Sequence, residues 1–77
     1  KVINIKRNGE ILFEKKTVSM NTLLARLSEI KKQDTRNKCM ILLRGDSELK
    51  YGIVIDVLKT IKNAGFTNIN LVTESEK

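Results

Sequence analysis

Apolar positions along the chain switch between a period of two and a period near 3.6, and the switches divide it into elements. The first stretch, VINIKRNGEILFE, alternates. Ile3 and Ile5 share one face, with Asn4 and Lys6 on the other. Val2, Ile3 and Ile5 precede Asn8-Gly9, and Ile11, Leu12 and Phe13 follow it, which predicts a β-hairpin. Asn8-Gly9 suits a type I′ turn, whose two central residues both take positive φ. In VSMNTLLARLSEIKK the spacing turns helical at Met20, Leu23, Leu24, Leu27 and Ile30. Ser19 is the expected N-cap, its hydroxyl accepting an orphan N–H of the first turn. Thr22 stands where a capping box would carry Glu. Lys31 and Lys32 suit the negative end of the helix dipole, and the polar QDTRNK then reads as a loop.

CMILL, residues 39–43, is a short continuous apolar run, and it predicts a strand buried on both faces. Arg44-Gly45-Asp46 then leads to YGIVIDVLKTIKNAG, a second helix with Tyr51, Val54, Ile55, Leu58 and Ile61 in its core stripe. Ile53 and Val57 widen the apolar arc beyond what one sheet face needs. Gly65 is placed to end this helix in the left-handed conformation, which would bring Phe66 against Ile61. The last stretch, NINLVT, alternates again, with Ile69 and Leu71 on one face. The predicted order is β-β-α-β-α-β. It is an α+β, two-layer sandwich with both helices on one face of a four-stranded mixed sheet, the crossovers being right-handed.

Composition narrows the function. Seventy-seven residues make one domain, and one this small is marginal alone unless it dimerises. There is no His and one Cys, Cys39, so structural zinc, an internal disulfide and His-based acid–base catalysis are not expected. No apolar run reaches the roughly 20 residues of a membrane helix. The first residue, Lys1, leads almost directly into an apolar strand, so the chain reads as an excised domain or processed product. The net charge of +6 is spread along the chain and suits a polyanionic partner or a solvated surface. The aromatics, Phe13, Tyr51 and Phe66, are too few to leave the core and build a base-stacking platform.

No catalytic constellation is evident. Asp46 and Glu48 share one loop without a sign of a pocket to push their pKa values apart. Ser19, Ser28, Ser47 and Ser75 lack a histidine base, Cys39 reads as a small buried hydrophobe, and no glycine-rich phosphate loop is present. The tripeptide Arg44-Gly45-Asp46 suggests an adhesion ligand. Asp46 has a simpler role, bonding local backbone N–H groups to set the turn before the second helix.

The ordered set ILLRGD, Tyr51, an apolar helix closed by Ala64-Gly65-Phe66, and NINLVTE resembles the C-terminal periplasmic domain of the ExbD/TolR family of biopolymer transporters. The hairpin with its Gly turn and the stretch VSMNTLLARL fit as well, so the resemblance spans about the whole chain. Gly45 departs from the family, where Ala is usual, and this substitution creates the RGD. The resemblance implies that residues 1–77 are a periplasmic domain without the membrane helix and cytoplasmic N-terminus of a single-pass inner-membrane protein of a Gram-negative bacterium. It implies a non-catalytic homodimer, without cofactor or metal, that couples a proton-motive-force complex to a TonB- or TolA-like partner for outer-membrane transport. An ExbB/TolQ-like channel subunit would be met through the missing membrane helix, and peptidoglycan is a further implied contact. The proton-carrying Asp of the family lies in that helix and has no counterpart here.

On this reading the expected dimer or partner interface is Ile53 and Val57 with the final edge, Ile69, Asn70, Leu71, Val72 and Thr73. The structural turn and cap positions are Asn8, Gly9, Ser19, Asp46, Tyr51 and Gly65. No nucleic acid is expected, although a small basic α/β nucleic-acid-binding domain is the alternative.

Overall fold

The computed structural model of the chain describes residues 1–36 and 38–74. Strands β1 (Val2–Ile5), β2 (Ile11–Phe13) and β3 (Lys16–Val18) precede α1 (Met20–Gln33), β4 (Ile41–Asp46), α2 (Tyr51–Asn63) and β5 (Ile69–Glu74). The strands form one mixed sheet in the order β3-β2-β1-β4-β5. β2 is antiparallel to β1 and β3, whereas β1, β4 and β5 are parallel. The α+β class with two helices holds. The four-strand count and the β-β-α-β-α-β order are corrected to five strands and β-β-β-α-β-α-β.

The added strand is β3, and its turn explains why the pattern conceals it. Glu14 (φ 51°) and Lys15 (φ 68°) both take positive φ between the paired residues Phe13 and Lys16. That is the requirement of a type I′ turn, met here without Asn or Gly. Pairing with β2 holds two side-chain-bearing residues in a disfavoured conformation that local preference would not choose. Conversely, Asn8-Gly9 is not a type I′ turn, because Gly9 (φ 90°) has positive φ and Asn8 does not. Gly9 N–H bonds Lys6 C=O at 2.8 Å and Lys6 N–H bonds Glu10 C=O at 2.8 Å. This is a three-residue loop, a type I turn closed by a left-handed glycine. The Asn8 carboxamide oxygen accepts the Glu10 N–H at 3.1 Å.

One face of the sheet carries the core. Ile3 is paired with Phe13 and Leu43, and Ile5 with Ile11; all five are buried. They pack with Leu23 and Leu27 of α1 and Val54, Val57 and Ile61 of α2 in one cluster. Both helices therefore cover the same face. β3 is parallel to β4, so α1 and α2 carry the chain in the same direction across the sheet, and a shared hand of crossover places them together. The expectation that residues 39–43 are a strand buried on both faces is corrected. β4 begins at Ile41 and runs on through Asp46, and its burial alternates, with Leu42 and Arg44 half-buried on the uncovered side. Cys39 precedes the strand and is half-buried.

The helix ends are set locally. Ser19 Oγ accepts the Thr22 N–H at 3.1 Å and its hydroxyl donates to Thr22 Oγ1 at 3.0 Å, so the cap is made by Ser19 without the reciprocal bond of a capping box. At the end of α2, Gly65 (φ 104°) donates to Lys62 C=O at 2.9 Å and Phe66 N–H to Ile61 C=O at 3.4 Å. These two bonds form a Schellman closure, and Phe66, 1% exposed, is folded into the core by it. The start of α2 lacks such a device: Lys50 is its N-cap and makes no side-chain cap bond.

Candidate functional site

The two borders of the sheet differ. β3 is three residues long, with Lys16 at its start and Lys15 in the turn before it. Short, charged edges of this kind resist pairing with another chain. β5 is six residues long, and Leu71 (45% exposed) and Val72 (39% exposed) put apolar side chains on its two faces. Leu71 is paired with Leu43 on the helix side, and Val72 with Arg44 on the uncovered side.

The backbone of β5 is polarised by its register. Ile41 N–H bonds Asn68 C=O at 2.9 Å, with Ile41 opposite Ile69. In a parallel ladder the two bonds of a residue go to the neighbours of its partner, so Asn68, Asn70 and Val72 turn their backbone groups toward β4. Ile69, Leu71 and Thr73 then direct N–H and C=O outward along the sheet border. Asn70 is exposed, and its side-chain nitrogen lies 2.9 Å from Met40 Sδ. Of the residues expected at an interface, Ile69 is half-buried against the core, while Asn70, Leu71, Val72 and Thr73 are exposed and contiguous.

Ile53 and Val57 are not joined to that border. Val57 is completely enclosed in the chain's own core, and Ile53 packs against it from beside Gly9. The wide apolar arc of α2 is used internally: Val54, Val57 and Ile61 are buried, and Ile55 and Leu58 half-buried. Tyr51 is corrected from the core stripe to the surface, 73% exposed in the first turn of α2. It is the first residue of α2, where its phenol hydroxyl stays hydrated. Thr60, which the apolar pattern passes over, occupies a core position instead. It is 8% exposed, and its hydroxyl donates to the Asp56 C=O at 3.0 Å, so the polar group costs little.

The RGD tripeptide lies inside β4 rather than at a loop tip. Asp46 Oδ1 accepts the Glu48 N–H at 2.9 Å, and the Asp46 C=O accepts the Leu49 N–H at 3.0 Å. Arg7 Nε lies 3.5 Å from Asp46 Oδ1 and 3.3 Å from Glu48 Oε2, linking the first hairpin loop to the turn before α2. The Glu48 N–H bond, followed by Arg7, holds the Asp46 carboxyl below the usual carboxylate range, against the opposing effect of burial. An extended, hydrogen-bonded Asp46 does not match an adhesion ligand, which needs Arg44 and Asp46 displayed on a mobile tip. Asp34 has the same kind of environment: Cys39 N–H at 2.9 Å and Lys38 N–H at 3.1 Å bond its carboxylate and lower its pKa. Among the described residues no group of His, Cys, Asp and Glu has a metal-holding arrangement. No helix of the described residues is long and apolar enough to cross a membrane.

No curated protein matches the chain. The family model described as biopolymer transport protein ExbD/TolR matches residues 1–76. With that match covering nearly its whole length, the chain belongs to the ExbD/TolR family.

Proposed function

We propose that this chain is the non-catalytic periplasmic domain of an inner-membrane complex that transduces the proton motive force, of the ExbB-ExbD-TonB or TolQ-TolR-TolA type. The domain dimerises and couples the complex to a TonB- or TolA-like partner, and it meets the channel subunit through a membrane helix preceding Lys1. Peptidoglycan is a further contact of the domain. Membership of a transport-associated, non-enzymatic family supports this reading. The observation that carries it is the β5 border, where outward backbone groups at Ile69, Leu71 and Thr73 stand between the exposed side chains of Leu71 and Val72. Such a border accepts an added strand from a second copy or an extended partner segment, main-chain bonds supplying affinity and flanking pockets specificity.

Proline substitution separates this role from folding. Leu71→Pro removes an outward N–H and leaves the β4 ladder intact, as edge strands tolerate. Val72→Pro removes a bond to β4 and should unfold or strongly destabilise the domain. Sedimentation of the chain alone and with TonB- or TolA-derived peptides reads the result. A folded Leu71→Pro variant that self-associates and captures peptide like the parent would eliminate β5 as the coupling border.

A further inference from the structure

We propose that the end of the domain at which both helices terminate docks onto an anionic bilayer surface through the phosphates of its headgroups. The helices run antiparallel to β4 and its parallel neighbours, so their C-termini meet the starts of β1, β4 and β5 at one pole. Direct contacts fix this arrangement. Lys31 of α1 lies against Gly65 and holds its ammonium 5.5 Å from the Phe66 ring centroid, beyond the end of α2. The Lys1 backbone nitrogen bonds the Met40 C=O at 2.9 Å, which places the start of β1 beside the segment leading into β4.

Lys1, Lys31, Lys32, Lys38, Lys59 and Lys62 gather at this pole, and all but the half-buried Lys31 are exposed. The β2–β3 turn adds Lys15 and Lys16. Carboxylates there are outnumbered. Glu14 faces Arg26 at 3.8 Å, Asp34 is bonded to two backbone N–H groups, and Glu29 lies as far from the end of α1 as Lys59 does from the end of α2. The opposite pole is close to balanced, with Lys6–Glu10 at 3.7 Å and Arg7 between Asp46 and Glu48. The excess of cations among the described residues is thus concentrated at one end. Lysines in the last turn of a helix complement its dipole, but Lys1, Lys15, Lys16 and Lys38 lie outside helices and have no such role.

The chemistry of the pole favours a bilayer over other polyanions. Its cations are mainly lysines, compact point charges suited to a diffuse field of phosphates rather than to bidentate forks. No aromatic is offered for base stacking: Phe66 is buried and Tyr51 lies at the other end of α2. Lys1, to which the membrane helix is joined in the reading above, lies within the pole, so the inference rests on that reading for its orientation. A basic residue close to an anionic leaflet gains about 1 kcal/mol, roughly fivefold in partition.

Cosedimentation of the chain with vesicles at low salt tests this without any protein partner, so its outcome is separate from that of the strand-pairing experiments. The chain is expected to bind vesicles of phosphatidylcholine and phosphatidylglycerol in equal parts, and not phosphatidylcholine alone. The triple variant Lys32→Gln/Lys59→Gln/Lys62→Gln should lose roughly a hundredfold in binding, three residues at about fivefold each. Lys6→Gln/Arg44→Gln/Lys50→Gln, drawn from residues away from the pole, has the same net charge and should keep most of it. In about 1 M salt, with a Debye length near 3 Å, the parent chain should be released. Circular dichroism verifies that each variant is folded. The proposal is overturned by absence of binding to the mixed vesicles, by equal loss in the two variants, or by retention in high salt. Tighter binding at equal salt to single-stranded DNA, or to peptidoglycan in a manner lost in the Lys32/Lys59/Lys62 triple variant, overturns it as well.

Discussion

Alanine at Gly45 and alanine at Gly65 should move stability in opposite directions. Gly45 is buried in β4 without positive φ, and a Cβ built on it would lie 3.5 Å from Leu49 Cδ2, an ordinary contact with the end of a flexible side chain. The methyl therefore fills available space. Reducing the freedom of the unfolded chain by Gly→Ala contributes about 0.4–1 kcal/mol where the backbone is compatible. Burial of the methyl adds to this, up to about 0.8 kcal/mol, so Gly45→Ala should stabilise by about 1 kcal/mol. Gly65 has φ 104°, and its Cβ would lie 3.3 Å from Lys31 Cγ. A left-handed conformation costs a residue with a side chain about 1–2 kcal/mol. Displacing Lys31 from Phe66 removes a contact of roughly 0.5 kcal/mol. Gly65→Ala should therefore destabilise by about 2 kcal/mol. Urea unfolding followed by circular dichroism measures both, at one protein concentration because self-association would shift the midpoint. For a domain of this size each 1 kcal/mol moves Tm by about 4–8 °C. A Gly45→Ala variant less stable than the parent, or a neutral Gly65→Ala, would refute the reasoning. Gly45→Ala also abolishes the RGD tripeptide, and partner capture should be unchanged.

The core and surface assignments on α2 have a direct test. Val57→Ala should cost roughly 2 kcal/mol in urea unfolding through an internal cavity, whereas Tyr51→Ala should stay within about 0.5 kcal/mol. The reverse order would return Val57 to an interface and Tyr51 to the core. Acid sensitivity follows from Asp34 and Asp46, whose carboxyls titrate below their ordinary value of 3.8 in the folded chain. A lowered pKa contributes stability that is fully present above the unfolded value and is lost as pH falls through the folded one. Urea midpoints should hold from neutral pH toward 4 and fall below it, with a shallower fall in Asp46→Asn. An Asp46→Asn variant with the parent's acid profile would remove Asp46 from this account.

Much of the candidate site was legible because it depends on short-range patterns. The period-two stretch at Ile69–Leu71 identified the final strand. The internal burial of Ile53 and Val57 was not legible. Their apolar surplus looked available to a partner, and it is used up once the first hairpin loop packs over α2 at Gly9. The concentration of lysines at one pole was equally hidden. In the sequence they are scattered, and only parallel helices bring Lys31 and Lys62 to the same end.

The sequence by itself determined the features closed by bonds within about five residues. Ser19 caps α1, Gly65 and Phe66 close α2, and the alternation of Ile3 and Ile5 orients β1, because each depends on neighbours along the chain. Tertiary structure decided the rest. Pairing with β2 makes a strand of Lys16–Val18 and holds Glu14 and Lys15 at positive φ. Pairing with β1 on one side and β5 on the other extends β4 through Arg44-Gly45-Asp46, turning an apparent loop tripeptide into sheet. Those ladders join residues far apart in sequence, where local preference is outweighed by hydrogen bonds and burial that exist only after the sheet has formed.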